Sequence, residues 1–422
     1  PCASIGQGLS RATAGDVVCV HAGTYAESWL EVPSDVTLVS ADGPLTAAIF
    51  SGEQSAVRFD GVSNAGLDGF EVYGTWDAGS PGDGLIRVVD ADNITIRNTM
   101  AHDAPHDMDV VKVSGRVSGL LLEGLVAWNP AHRTGGMFQE VIDIFGSGAT
   151  TGDPPPVSNV IVRGCWLFHI DGIGDWLIYS KIYAENILYE NNVFGPSAGG
   201  GWSNAAVGIG TGEAGIPDPT AAVVTHAIVR NNIFVGLRGD AALAVMNADD
   251  TWVYNNTFYA NTGSELRSVI MTRGNSHAVW DTRVLNNIFQ SNHPAKDGSG
   301  VFFWIRDALP SPWYHDYNLY YDNVTPSDTP YTGEAGGVYD LDPGLSAPAI
   351  PDTSAPSLSR IAEIRATFAL TAASPAVDVG LDAVGIAGHP NWSPGNTDRR
   401  WDADQDPRPT ADTWDLGADE RE

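Results

Sequence analysis

Lysine, cysteine and basic residues in general are scarce in this chain of 422 residues. Lysine and arginine together number 22 against 52 acidic residues, which gives a formal net charge of −30. Such an excess of negative charge disfavours nucleic acid and anionic membranes as partners. No apolar run reaches the roughly 18 residues that a transmembrane helix requires, so the sequence predicts no membrane span.

Common catalytic and metal-binding signatures are also missing. The chain has no cysteine–histidine spacing of the zinc-site type, no glycine-rich phosphate loop and no Gly-x-Ser-x-Gly elbow. Of the three cysteines, Cys2 and Cys19 are close enough in sequence to predict a disulfide, which would suit an oxidising compartment. Cys165 falls on an apolar position of an alternating segment and is predicted to be a buried free thiol.

What the chain does contain is one short motif, repeated many times. It reads ENILYENNVF at 185–194 and returns as HAIVRNNIF (226–234), TWVYNNTF (251–258) and TRVLNNIF (282–289). Apolar and polar residues alternate along each copy, which predicts a strand with one buried face that closes on a pair of asparagines. Equivalent positions recur about every 25–40 residues, and a single repeat cannot bury its apolar face until it is stacked on its neighbours.

A second set of strands precedes the motif, for example DVVKVSG (109–115), EVIDIFG (140–146) and DWLIYSK (175–181). Two or three short strands in each repeat, separated by Gly, Asn and Asp, predict an all-β fold, a right-handed parallel β-helix of about ten coils. A β-propeller is the alternative, although its antiparallel blades would show hairpin turns. In stacked coils, the motif asparagines should form one hydrogen-bonded line. These asparagines are Asn192, Asn232, Asn256 and Asn287.

We expect residues 1–422 to form one monomeric domain. Capping coils would occupy 1–60 and central coils with inserted loops 61–325. The irregular segment 326–422 would pack on the helix.

Both ends of the chain support this fold by resemblance. GDVVCVHAGTYAESWLEV (15–32) and FALTAASPAVDVG (368–380) resemble the opening coil and the C-terminal segment of secreted β-helix proteins of the pectate-lyase-like superfamily. The resemblance implies a right-handed parallel β-helix and an extracellular location. It does not imply one activity, because this scaffold carries lyases, hydrolases and non-catalytic surface proteins.

Acidic residues cluster on the second set of strands. Aligned at their first residues, three of these strands place Asp109, Glu140 and Asp175 in one column, and Asp143 shares another column with Lys112. Carboxylates stacked about 4.8 Å apart repel each other, so they must pair with cations or bind a metal. Oxygen ligands of this kind favour Ca²⁺, and the four acids are its predicted ligands. The alternative is that these acids simply point into water.

Histidine and tryptophan side chains fall in register nearby. His102 and His169 follow the motif strand at the same offset, with Trp128 at the equivalent place between them. Trp128, His132 and Arg133 belong to the irregular segment AWNPAHRTGG. Because aromatic faces stack on sugar rings, we expect His102, Trp128 and His132 to bind a glycan. The alternative is a stacked ladder that covers the edge of the core.

A more local resemblance suggests an activity. GGMFQEVIDIFG (135–146) and GDWLIYSKIYAENILYENNVF (174–194) are similar to consecutive coils of the family-six polysaccharide lyases. This implies that Lys181, with its pKa lowered by a nearby cation, is the base of a β-elimination, and that Ca²⁺ on the neighbouring acids neutralises the uronate carboxylate. His169 or Arg133 would assist or bind, and Lys112 would bind substrate. As an exposed strand-end residue, Lys181 should contribute no more than about 0.5 kcal/mol to stability.

The leading functional prediction is therefore a secreted polysaccharide lyase that acts on a uronic-acid glycan. A glycoside hydrolase on the same fold is an alternative, with Asp107 and Asp109, or Asp171 and Asp175, as the paired carboxylates. A non-catalytic glycan-binding solenoid is the other alternative. The clustered lysines and histidines favour an enzyme, since a purely structural solenoid does not need them.

Overall fold

The protein is described by a computed structural model that covers most of the chain. The described residues are 2–76, 84–133, 137–146, 156–170, 175–197, 205–210, 223–273, 280–295, 301–306, 313–323, 333–386, 389 and 414–418. Regular structure in them is almost entirely β, arranged in successive coils of three strands. None of the helices among them has the length and apolar character needed to cross a membrane.

The first and second strands of the coils form a 19-stranded sheet in which neighbouring strands are parallel. The first strands are Leu30–Glu31, Val57–Asp60, Gly84–Arg97, Asp109–Glu123, Ile142–Gly146, Ile178–Ser180, Ala205–Ile209, Ala241–Met246, Ser268–Arg273 and Val301–Arg306. Gly84–Arg97 and Asp109–Glu123 are long enough to serve as the second strand of their coils as well. The other second strands are Val17–Val20, Thr37–Ser40, Gly66–Asp68, Val157–Arg163, Ala184–Glu190, Val224–Arg230, Ala248–Tyr254, Trp280–Leu285 and Tyr314–Asp316.

The third strands form a 12-stranded parallel sheet. They are Gly23–Ala26, Ala47–Phe50, Phe70–Tyr73, Met100–His102, Val126–Trp128, Trp166–Leu167, Val193–Phe194, Ile233–Val235, Thr257–Tyr259, Ile288–Gln290, Leu319–Tyr321 and Val338–Tyr339. These two stacked sheets confirm the predicted parallel β-helix.

A few short elements lie outside the two sheets. They are the helices α1 (Ile5–Leu9) and α2 (Ser359–Thr367), a 3₁₀ turn (Ala383–Gly385), the antiparallel pair His132–Arg133 and Met137–Phe138, and the parallel pair Thr262–Gly263 and His293–Pro294. Ile5 and Leu9 of α1 are buried in the main core, so this helix packs on the N-terminal end of the β-helix.

The asparagine pair of the motif is a corner between two strands. In the first copy, Ala184–Glu190 is a second strand and Val193–Phe194 is a third strand. Asn191 between them has φ +59°, a left-handed conformation that asparagine tolerates better than most residues. What the sequence presents as one strand is therefore two strands that meet at a bend.

The second asparagine of each pair forms the predicted line. Asn192 donates from its backbone and side chain to Asn232 Oδ1 at 2.9 and 3.0 Å, and Asn232 donates to Asn256 Oδ1 at 3.0 and 2.9 Å. The pattern continues through Asn287 to Asn318. The predicted ladder is confirmed, and all of its asparagines are fully buried.

A second asparagine ladder was not predicted. It runs from Asn261 through Asn292 to Asn323, again with both backbone and side-chain donors on each Oδ1. These asparagines stand singly in the sequence, at the corner that follows the third strand. The recurrence of asparagine in ANT, SNH and DNV, at the same place after each third strand, was the sequence feature that could have predicted this ladder.

The C-terminal segment covers two outward faces of the β-helix. Ile361, Ile364 and Phe368 pack with apolar side chains of the third strands, and Trp414 packs with those of the second strands. The apolar cluster on the outward face of the first strands contains no residue from this segment, as far as the described residues show.

The predicted disulfide is wrong, because Cys2 and Cys19 are exposed free thiols. Side chains alternate along a strand, and Val18 and Val20 point towards the face that α1 covers. Cys19 therefore points away from that face, whereas Cys2 lies just before α1 with its Sγ 3.5 Å from Arg11 Nη1. Cys165 is buried and free, as predicted.

Candidate functional site

Five charged side chains meet on the outward face of three consecutive coils. Lys112 and Asp143 are paired in register on neighbouring first strands. Lys112 Nζ lies 3.1 Å from Asp109 Oδ2 and also contacts Asp143 Oδ2. Lys181 Nζ lies 2.9 Å from Glu140 Oε1 and 3.2 Å from Asp143 Oδ2. We refer to these five residues as the ionic cluster.

The ionic cluster is well shielded from water. The Asp143 side chain is 0% exposed and that of Lys181 is 14% exposed. Buried charges are costly unless they are paired at close range, and here both lysines bridge two carboxylates. Two of the chain's three lysines are used in this way, so they are not solvated surface charges.

The pKa values in the ionic cluster follow from this pairing. Burial, followed by repulsion from Asp143, raises the pKa of Glu140 well above its usual range. Burial alone would lower the pKa of Lys181, but attraction to Asp143, Glu140 and Asp109 outweighs it and the pKa is raised. The lowered pKa expected for Lys181 is therefore wrong for the cluster as it stands, because carboxylates rather than cations surround the ammonium group. Three carboxylates and two ammonium groups leave one negative charge in excess. One additional proton on a carboxylate would make the cluster neutral, which burial favours.

Three of the predicted metal ligands lie together. Asp109, Glu140 and Asp143 each offer a carboxylate oxygen within 4.8 Å of the others, so this group could hold a metal ion. Asp143 Oδ1 is buried and receives no hydrogen bond from the described residues. The same carboxylates, however, already hold the two ammonium groups.

Asp175 does not belong to this acidic column. Ile142 pairs with Ile178, which places Trp176, not Asp175, opposite Glu140. The Asp175 backbone N–H instead donates to Gln139 O at 3.1 Å. The sequence alignment was wrong by one residue at this coil, and a slip of one residue moves a strand side chain to the other face.

An apolar wall adjoins Lys181 and was not predicted. The rings of Trp176 and Tyr179 stack with centroids 4.1 Å apart, and Lys181 Nζ lies 5.3 Å from the Tyr179 ring. On the next coil, a Cβ at Gly208 would approach both rings to 2.6 Å, so only glycine fits beneath them. Ala241, Ala244, Met246 and Met271 belong to the same apolar cluster. This wall excludes water from one side of Lys181.

His102 and Trp128 are in register, as predicted, but in a stacked ladder. Their ring centroids are 4.2 Å apart, Tyr73 lies 5.4 Å beyond His102, and Phe168 lies 5.3 Å beyond Trp128. Phe168, not His169, thus continues the column, so the sequence alignment was wrong by one residue on this coil as well. Because His102 and Phe168 stack on Trp128, this arrangement resembles the ladder alternative more than a platform for a sugar ring.

His102 has a defined charge environment of its own. Its ring nitrogens lie 2.8 Å from Asp103 Oδ2 and 3.2 Å from Glu71 Oε1. Burial would lower the pKa of His102, but hydrogen bonds to Asp103 and Glu71 outweigh it, and the pKa is raised.

Of the remaining predicted residues, His169 and Asp107 have side chains that the structure describes. His169 is buried, and burial lowers its pKa to about 3, so it is neutral at physiological pH. The backbone of His132 and Arg133 forms a short strand, while their side chains lie outside the described part of the structure, as does Asp171. Asp107 accepts a hydrogen bond from Gln139 Nε2 at 2.9 Å.

Comparison with known proteins supports the fold. No protein-family model matches the chain, and neither does any curated protein sequence. Among solved structures, pectate lyase Pel9A matches with 13% identity over 99% of this chain and 90% of its own, at a TM-score of 0.53. The chain has the parallel β-helix fold of pectate lyase Pel9A.

Two further solved structures match the chain. The Streptococcus pneumoniae surface protein and adhesin PfbA matches with 13% identity over 80% of this chain and 89% of its own, at a TM-score of 0.50. The PL6 family alginate lyase AlyGC matches with 16% identity over 92% of this chain and 58% of its own, at a TM-score of 0.44. At such identities the likeness is one of fold, and the function must be argued from the site.

Proposed function

We propose that the chain is a polysaccharide lyase that cleaves a uronic-acid glycan by β-elimination at the ionic cluster. The observation that carries the proposal is the placement of Lys181 Nζ between Glu140 and Asp143, on the coil that follows theirs. A lysine held by residues of the neighbouring coil is pre-positioned, as a general base must be. The β-helix fold shared with a pectate lyase adds support.

Four of the five members of the ionic cluster have a role in this proposal. As a neutral amine, Lys181 takes the proton next to the uronate carboxylate, and the electron pair of that C–H bond forms a double bond in the sugar. The bond to the glycosidic oxygen breaks, and this oxygen takes up a proton from water. To act as a base, Lys181 must first lose its own proton, and neutralising Glu140 and Asp143 favours that loss. Lys112 supplies one positive charge beside these carboxylates. Ca²⁺, the metal that such oxygen donors favour, is the alternative source of positive charge.

The test is the ultraviolet absorbance of the unsaturated product, measured on a panel of uronate polymers with and without EDTA. Lys181→Arg keeps a positive charge beside Glu140 and Asp143 but removes the base, so turnover should fall by about 10²–10⁴-fold. Arg230→Lys is the matched control, because Arg230 is buried and paired at 2.6 Å with Glu190 on the second strands. It should keep full turnover. Equal turnover of Lys181→Arg and wild type would refute the assignment.

A non-catalytic glycan-binding protein is the second candidate. It is favoured by the ionic cluster itself, because both lysines are already paired with carboxylates and have raised pKa values. PfbA, which has a similar fold, is described as a surface protein and adhesin. Retention of an uncleaved glycan on an affinity column would favour this candidate over the lyase.

An extracellular location and a monomeric state belong to the same proposal. Polysaccharide substrates are encountered outside the cell. Copies of the chain repel each other because each carries a net charge of −30. Light scattering of the purified protein would test the monomer.

A further inference from the structure

We infer that Lys112 is the resident cation of the ionic cluster and excludes a divalent metal ion from the same three carboxylates. The inference concerns cation binding and does not depend on the proposed lyase activity. Its consequence for that activity is that a functional site would not require Ca²⁺.

The first argument is the use of the carboxylate oxygens. Asp109 Oδ2 and Asp143 Oδ2 hold the Lys112 ammonium group, and Glu140 Oε1 holds that of Lys181. Asp109 Oδ1 accepts the Glu140 backbone N–H at 2.8 Å. Ca²⁺ requires six to eight oxygen ligands, and in this arrangement most of the oxygens that three carboxylates can offer are engaged. A metal ion on these oxygens would also lie at ion-pair distance from two ammonium groups, which repel it.

The second argument is that the position of Lys112 is built into the fold. Lys112 lies directly opposite Asp143 in the parallel register. On the preceding coil, a Cβ at Gly84 would lie 2.6 Å from Lys112 Cβ, so the absence of a side chain at Gly84 makes room for the base of the lysine. The lysine therefore cannot be regarded as a mobile surface residue that yields its place to a metal.

The third argument is an acceptor that a metal could use once Lys112 is gone. Asp143 is fully buried, and its Oδ1 receives no hydrogen bond from the described residues. Without the Lys112 charge, Asp109, Glu140 and Asp143 would lose one of the two ammonium groups that now hold them and would keep that of Lys181. The set of oxygens within 4.8 Å of one another would then match the preference of Ca²⁺ for carboxylate ligands.

The test is titration of full-length wild type and Lys112→Met with Ca²⁺ by calorimetry, and with Tb³⁺ by sensitised luminescence. Wild type should bind Ca²⁺ only weakly at the cluster, whereas Lys112→Met should bind it there at least about 10-fold more tightly, since a like charge has been removed. Lys112→Arg should behave like wild type. Adding Asp143→Asn to Lys112→Met should abolish the new site, which distinguishes it from weak binding elsewhere on the acidic surface.

Two outcomes would overturn the inference. One is wild type binding Ca²⁺ as tightly as Lys112→Met, with Asp143→Asn removing the binding in both. The other is a folded Lys112→Met variant that gains no affinity. Circular dichroism establishes folding first, and Lys112→Gln, which retains a polar group at that place, is used if Lys112→Met does not fold. Absence of lyase activity would leave these binding results unaffected, so the two proposals fail separately.

Discussion

Replacing Lys181 with alanine should destabilise the protein substantially, contrary to the expectation for an exposed strand-end charge. The Lys181 ammonium group contacts Glu140 at 2.9 Å and Asp143 at 3.2 Å, and both carboxylates are nearly inaccessible to water. Removing one partner of a buried ion pair typically costs about 3–5 kcal/mol, because the remaining charge is left buried and unpaired. Since Glu140 has a raised pKa and can take up a proton, we expect the lower end of that range, about 3 kcal/mol.

The free energy of unfolding, measured by denaturant titration at neutral pH, tests this value. Lys181→Ala combined with Glu140→Gln removes one positive and one negative charge together, so the double variant should be more stable than Lys181→Ala alone. The cost of Lys181→Ala should also grow as the pH rises. Glu140 has a raised pKa in the folded protein, so its protonated form is favoured at low pH, and at higher pH the variant must keep a buried, unpaired carboxylate. An effect below about 0.5 kcal/mol, the range of ordinary surface substitutions, would show that the buried ion pairs do not form.

Three further predictions concern the fold. Asn256→Ala should lower the free energy of unfolding, measured by denaturant titration, by about 3–5 kcal/mol, because it leaves buried polar groups of Asn232 and its other partners unsatisfied. Asn323→Ala, at the half-buried end of the second ladder, should lower it by less than half as much. His102 has a raised pKa, so its stabilisation should be present in mildly acidic solution and be lost as the pH rises through that pKa. His102→Gln should therefore flatten the change in melting temperature between about pH 5.5 and pH 8.5, and an unchanged profile would contradict this. Thiol titration should find two reactive cysteines in the native protein and a third only after denaturation, because burial raises the pKa of Cys165 to about 12; a native count of zero would indicate a disulfide.

The repeated motif by itself determined the architecture. Alternating apolar residues fix which face of each strand is buried, and the return of the same pattern requires stacked coils to cover that face. The buried asparagines follow from the same repetition, since equal positions in successive coils must meet, and the hydrogen bonds from Asn192 to Asn318 bear this out. The pairing of Lys112 with Asp143 was also correctly read, because both lie on strands of equal offset.

Only the tertiary structure decided the details on which the chemistry depends. Asp175 and His169 were each placed one residue away from their true register, because the path of the chain between strands sets how coils align, and the alternation within a strand does not. The charge state of Lys181 could not be predicted from the sequence either. It depends on which carboxylates the neighbouring coils bring within 4 Å of the ammonium group and on how much water remains around them. These two factors decide whether a lysine is a solvated charge, a general base or one partner in a buried ion cluster.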